Sequence, residues 1–283
     1  MPARAAAGAR HLAGGAPRNG GGLKVMESAE RTYRRIVSGT LATAYRVVVC
    51  ETDLQIYSGA PLAEIARETV LALRRHLEGY IRRHADFIHT LTPWPLDDPS
   101  PPVVRAMIRA GRRAGVGPMA AVAGAIAQGV GEALLQHGPE VIVENGGDVF
   151  LQTASPVVIG LFAGASPLSL KVGLRLPGDN GPLAVCTSSG TLGHSRSFGR
   201  ADAACILCPD AALADAAATA VGNRVQNPSD IASALEAARR IEGVSGAVVI
   251  CGERIGAWGA VELVPLHLRA PSGDRSAAGG KRG

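Results

Sequence analysis

The chain has 283 residues, enough for one large domain or two small ones, and its 47% apolar, 19% charged composition is that of a folded globular protein. Ten aromatic residues offer little base-stacking surface, and the formal charge of +5 sits in the termini, a net +2 over residues 1–30 and a net +3 over residues 269–283. The neutral remainder argues against a nucleic-acid partner, and no stretch is expected to approach the apolar length needed to cross a bilayer or to form a secretory core, which argues against a membrane partner.

Both termini are rich in Gly, Ala, Pro and Arg without apolar periodicity. They read as disordered basic tails, 1–30 and 269–283, around a domain at 31–268. After the first tail, residues 44–51 and 54–57 read as two strands of a hairpin turning at Thr52-Asp53. A long helix is expected over 62–91, with Val70, Leu73, Leu77, Ile81 and Ile88 as its apolar stripe and Arg67, Arg74, Arg75, Arg82 and Arg83 on a solvated basic face. Prolines at 93, 95, 99, 101 and 102 break the pattern before a shorter helix over 103–114. Gly117-Pro118 then opens a small-residue helix over 119–137.

Strands are expected at 140–143, 149–152, 157–162, 169–176 and 184–187, then a buried strand around Cys205 that leads into a helix carrying Asp215. Another helix starts near Ser229-Asp230, and strands at 246–251 and 261–264 close the sheet. Strands and helices come in runs, which favours a single large α+β domain with mixed or antiparallel sheets packed with helices. The five cysteines, an odd number in or beside apolar runs, suit small buried thiols in a reducing, cytoplasmic compartment. Cys205 and Cys208 have the spacing of a metal or redox pair, but three positions along a strand face opposite sides, so they read as core.

Asp215-Ala-Ala-Ala-Thr219 is the most informative stretch, and by itself it reads as either an exposed Asp/Thr pair on an alanine-rich helix or a pair of metal ligands. On a helix, a spacing of four places a carboxylate and a hydroxyl on one face, one turn apart. Two hard oxygen donors so placed suit Mg²⁺, which keeps several waters and is commonly completed by substrate phosphates. Glycine is also abundant, 36 residues against a usual share of about 7%, and short glycine clusters let backbone N–H groups approach a ligand closely.

Ser38-Gly39-Thr40, Gly124-Ala125-Ile126-Ala127-Gln128-Gly129, Asn145-Gly146-Gly147-Asp148, Thr187-Ser188-Ser189-Gly190 and Asp215 to Thr219, taken in order, resemble segments of the ApbE-like superfamily typified by FAD:protein FMN transferase. The likeness runs from about residue 36 to 265. It implies an ApbE-like α+β fold whose cleft binds FAD, as ligand or substrate, with Asp215 and Thr219 on the Mg²⁺ ligands. It places Gly39, Thr40, Gly124, Ala125, Gln128, Asn145, Gly146, Gly147, Asp148, Thr187, Ser188, Ser189 and Gly190 along the flavin-binding cleft. Taken alone, Asn145 to Asp148 reads equally as a tight turn.

Two departures mark a side branch. Gln128 stands where characterised transferases carry a lysine, and a His-Ile-x-x-Pro-x-x-Gly type segment between the Thr187 turn and the metal helix is missing. His194, in a Gly/Ser loop, is the candidate catalytic replacement, with Asp215 the other catalytic candidate; Arg200 is a conceivable phosphate partner and Asp202 lies near. The expected function is a Mg²⁺-dependent enzyme that cleaves the FAD pyrophosphate and transfers FMN to a threonine of an acceptor protein or to water. The alternative is a flavin or small-molecule binding protein without turnover.

Overall fold

The computed structural model describes residues 41–178, 181–190 and 199–266. The expected tails, and with them Gly39, Thr40 and His194, lie outside the described residues.

The chain opens with a hairpin of β1 (Thr43–Val49) and β2 (Thr52–Ser58), followed by helix α1 (Ala63–Arg83). Helices α2 (Pro102–Ala114) and α3 (Val122–Leu135) come next, α3 being entered through a single 3-10 turn at Pro118–Ala121. Five strands follow: β3 (Val141–Asn145), β4 (Asp148–Gln152), β5 (Val157–Gly160), β6 (Val172–Leu176) and β7 (Leu183–Ser188). The chain closes with β8 (Ala203–Cys208), α4 (Ala211–Gly222), α5 (Ile231–Arg239), β9 (Gly246–Cys251), β10 (Arg254–Gly259) and β11 (Glu262–Pro265).

Eight strands form one sheet in the order β1-β2-β3-β4-β7-β8-β9-β10, and β11-β6-β5 form a second; every pairing is antiparallel. The α+β expectation therefore holds, with antiparallel rather than mixed sheets. Successive residues of the large sheet supply two separate cores, as the two-residue period of a strand requires. Ala204, Ile206 and Cys208 of β8 pack with the helices, whereas Ala203, Cys205 and Leu207 pack toward the small sheet. The molecule is thus three-layered, helices on the large sheet and the small sheet beneath. Cys205 and Cys208 fall in different cores, which removes them as a metal or redox pair.

Several expected elements move. The first hairpin turns at Cys50-Glu51, not Thr52-Asp53, with Cys50 at φ 52, and Cys50 is the exposed exception to the buried thiols. Helix α1 ends at Arg83, because the chain bends to bring Phe87, fully buried, against Tyr80 and Trp94 at ring separations of 5.0 and 5.4 Å. Ile88 is consequently exposed rather than part of the stripe. On the supposedly solvated face, Arg74 is folded down onto the first hairpin, bonding Glu51 Oε2 at 2.6 Å and Thr52 Oγ1 at 3.1 Å.

Near the C-terminal end, the unforeseen β10 forms the edge of the large sheet. Residues 261–264, expected to close that sheet, instead cross at Gly259 (φ 85) and, as β11, pair with β6 in the small one. Contrary to the expectation on apolar length, the Pro118–Leu135 stretch is apolar and long enough to cross a bilayer by composition, but half of it is buried here and α3 packs on α1, α4 and β3.

Candidate functional site

The site is built where α3 and α4 begin side by side over the ends of β3, β4 and β7. Asp210 caps α4 by accepting from the Leu213 N–H at 3.0 Å, which sets the register that turns Asp215 and Thr219 to one side of the helix, both partly exposed. The first N–H groups of any α-helix lack intrahelical partners. Here the two helices satisfy each other. Asp215 Oδ2 accepts from Gly124 N at 3.0 Å near the start of α3, and Gln128 Oε1 of α3 accepts from Ala211 N at 2.8 Å at the start of α4.

Gly124 permits that closeness, since a Cβ there would overlap the Ala211 carbonyl oxygen. Its glycine is thus explained by helix crossing, and Ala125 packs in the helical core. Gln128 is fully engaged, its Nε2 donating to Glu132 Oε1 at 2.8 Å.

Asn145, Gly146, Gly147 and Asp148 form the two-residue turn between β3 and β4, with Asn145 opposite Asp148 and both glycines at positive φ, 66 and 115. This is the left-handed pair that a tight hairpin demands. The turn also organises its surroundings. Asn145 Nδ2 donates to the Ala123 carbonyl at 3.0 Å, anchoring the start of α3, and Asp148 Oδ1 accepts from Thr187 N at 3.2 Å, fastening β4 to the end of β7. Ser188 and Ser189 are partly exposed beyond Thr187, and Gly190 donates its N–H to the Ala201 carbonyl at 2.9 Å.

Sequence reasoning missed the electrostatic pairing of Asp148 with Asp215. Burial, followed by the Asp148 charge, raises the Asp215 carboxyl well above the ordinary carboxylate range, against the N–H groups of Gly124 and Ala123 that favour its charged form. Burial likewise pushes Asp148 up to about 7, with buried Glu144 adding to the rise and the Thr187 N–H and Cys186 opposing it. Cys186 feels both carboxyls: burial and then the Asp148 and Asp215 charges push its thiol up, and its Sγ contacts the Ala211 carbonyl at 3.5 Å. The charges acting on the acid pair are thus themselves carboxylates.

No signal in one sequence links Asp148 to Asp215, 67 positions apart. Among the described residues no three His, Cys, Asp or Glu side chains converge as a metal cluster. Of the remaining candidates, Asp202 accepts from the Gly252 N–H at 2.7 Å, so it braces the β9–β10 turn instead, and the Arg200 side chain is exposed. Two cavities, about 470 and about 460 Å³, lie elsewhere and are lined by none of the site residues above.

Comparison with known proteins places this architecture. The chain is 41% identical over 220 residues to a UPF0280 protein of Methanocella arvoryzae, covering 77% of this chain and 89% of that one. It is 44% identical over 217 residues to a UPF0280 protein of Methanosarcina acetivorans, covering 76% and 85%. Among solved structures, the flavin transferase ApbE from Vibrio cholerae superposes with a TM-score of 0.50 at 11% identity, over 77% of this chain and 96% of that one, a likeness of fold. The family described as AbpE bacteria matches residues 34–263, and the chain belongs to that family, an ApbE-like branch shared with the UPF0280 proteins.

Proposed function

We propose that this chain holds Mg²⁺ with Asp215 and Thr219 and acts on the pyrophosphate of FAD, passing FMN to a protein threonine or to water. The observation that carries the proposal is the acid pair: Asp148 of β4, held by the Thr187 N–H, and Asp215 of α4, held by the Gly124 N–H, sit on elements packed against each other, and the charges that act on them are negative. Two carboxyls so placed make a strong demand for a cation. The donor set fits Mg²⁺, since Asp215 and Thr219 offer hard oxygens one turn apart on a partly exposed face, leaving positions for water and phosphate. When bound, the ion offsets charge on the phosphoryl oxygens. Flavin as substrate is supported by the family and by the Vibrio cholerae flavin transferase that shares the fold.

The chain's own residues would contribute position and shape. Asp215 orients the start of α3 through Gly124, and Asn145 holds the same segment from the Ala123 carbonyl. Asp148 keeps the Thr187–Gly190 turn beside the acid pair through the Thr187 N–H. His194 remains the proposed proton donor or acceptor.

A second reading, flavin binding without turnover, is favoured by one observation: Gln128 brings no positive charge and its amide is spent on Ala211 and Glu132. Purified protein incubated with FAD and Mg²⁺ separates the two. AMP and FMN release by wild type that disappears in Asp215→Ala supports the enzyme, and tight FAD binding with no release selects the second reading. Protein that binds no FAD, or release that survives Asp215→Ala, rejects the proposed site.

A further inference from the structure

We infer that the groove where the C-terminal ends of α2, α4 and α5 meet is a second site, built to take a small phosphate-bearing anion. Its cavity of about 470 Å³ falls within the roughly 300–1,000 Å³ of small-molecule sites. Arg112 and Arg113 reach it from the last turn of α2, Arg224 from just beyond α4 and Arg240 from the end of α5. At 3.6 residues per turn, Ala220 and Val221, the residues of α4 that line the groove, lie well round the helix from Asp215 and Thr219.

Arginines at helix C-termini have an ordinary role, because each helix end carries about half a negative charge. That role does not use up the charge collected here. Arg112 Nη1 donates to the Trp94 carbonyl at 3.4 Å and Arg113 to the Glu242 carbonyl, both neutral acceptors. Glu236, the one carboxylate among the described lining residues, is shared between Arg240 at 3.2 Å and Arg239 at 3.9 Å. The Arg224 side chain forms no hydrogen bond or ion pair among the described residues. Four guanidiniums therefore exceed one carboxylate and three partial charges, in a chain whose segment between the tails is neutral overall.

Guanidinium forks match phosphate oxygens two at a time, and several converging on one groove suit an acceptor with several charged oxygens. Ala220, Ala237 and Ile241, all partly exposed, supply an apolar wall for whatever the phosphate is attached to.

Inorganic pyrophosphate, titrated calorimetrically into the full chain without divalent cations, is the test. The expected result is binding that weakens with added salt, falls at least about tenfold in the Arg224→Gln/Arg240→Gln double variant and is unchanged in Asp215→Ala. Because both arginines are exposed, an unaltered thermal midpoint for the double variant shows that lost binding is not lost folding. Pyrophosphate that does not bind wild type, or binds the double variant as tightly, overturns the inference. Binding that Asp215→Ala abolishes while the double variant keeps it also overturns the inference, placing the anion on the other side of α4 and leaving the flavin proposal standing.

Discussion

At its start, α4 is tied into the interior by Gln128 on Ala211, by its own Asp215 on Gly124 and by a backbone approach that admits no Cβ at Gly124, whereas at its end the same helix runs out beneath exposed arginines. The first end gathers carboxyls that are largely withdrawn from water, where desolvation and like charge raise their pKa values. The second gathers guanidiniums in water, where solvent and salt screen them. One helix thus presents two electrostatic regimes. Substitutions at the start should be felt as stability and pH dependence, and substitutions at the end chiefly as binding.

The largest expected effect is Gly124→Val. Its side chain must push α3 away from the Ala211 carbonyl, which is backbone and cannot rotate aside. Chemical denaturation should show a loss of about 3 kcal/mol or more. A loss below about 1 kcal/mol would mean that the close crossing is not what seats α4.

The next effect is on pH. In metal-free protein, Asp148 keeps its proton up to about 7, while an aspartate in the unfolded chain loses it near 3.8. The folded state therefore binds more protons in between. This contribution to stability is fully present below about pH 4, declines as pH rises toward 7 by on the order of 1.4 kcal/mol per pH unit, and is level above. Asp148→Asn should remove that part of the slope in urea melts followed from pH 4 to 8; an unchanged slope would assign it to other groups.

The smallest effects compare the two ends directly. Gln128→Leu leaves the buried Ala211 without its side-chain partner and should cost about 1–2 kcal/mol. Glu236→Ala, which breaks exposed pairs with Arg239 and Arg240, should cost less than about 0.5 kcal/mol, and nothing in high salt. Equal costs for the two, measured by thermal melts, would erase the contrast between the ends.

Much of this organisation was legible in advance where the signal is local. Asn145 to Asp148 carries its own turn chemistry, and both glycines adopt the positive φ it requires. The alternation through β8 assigned Cys205 and Cys208 to opposite sides, as the two cores bear out. The ordered glycine and polar segments were enough to mark the family. Errors came where a distant partner decides: α1 stops at Arg83 because Phe87 is drawn to Tyr80 and Trp94, and Arg74 leaves the solvated face because Glu51 and Thr52 lie beneath it. The small residues at the start of α3 leave room for another backbone or a ligand, and the neighbour that Gly124 accommodates is the Ala211 backbone.

By itself, the sequence determined most of the strands and helices, the Asn145–Asp148 turn, the family resemblance and the shared face of Asp215 and Thr219, because these depend on torsional preference, side-chain period and motifs within a few residues. Tertiary structure alone decided that Asp148 stands beside Asp215, that Gln128 serves α4 rather than a ligand, that residues 262–265 join the small sheet and that four arginines line one groove. Those outcomes depend on desolvation and on contacts between residues far apart in the chain, energies that exist only after the layers have packed.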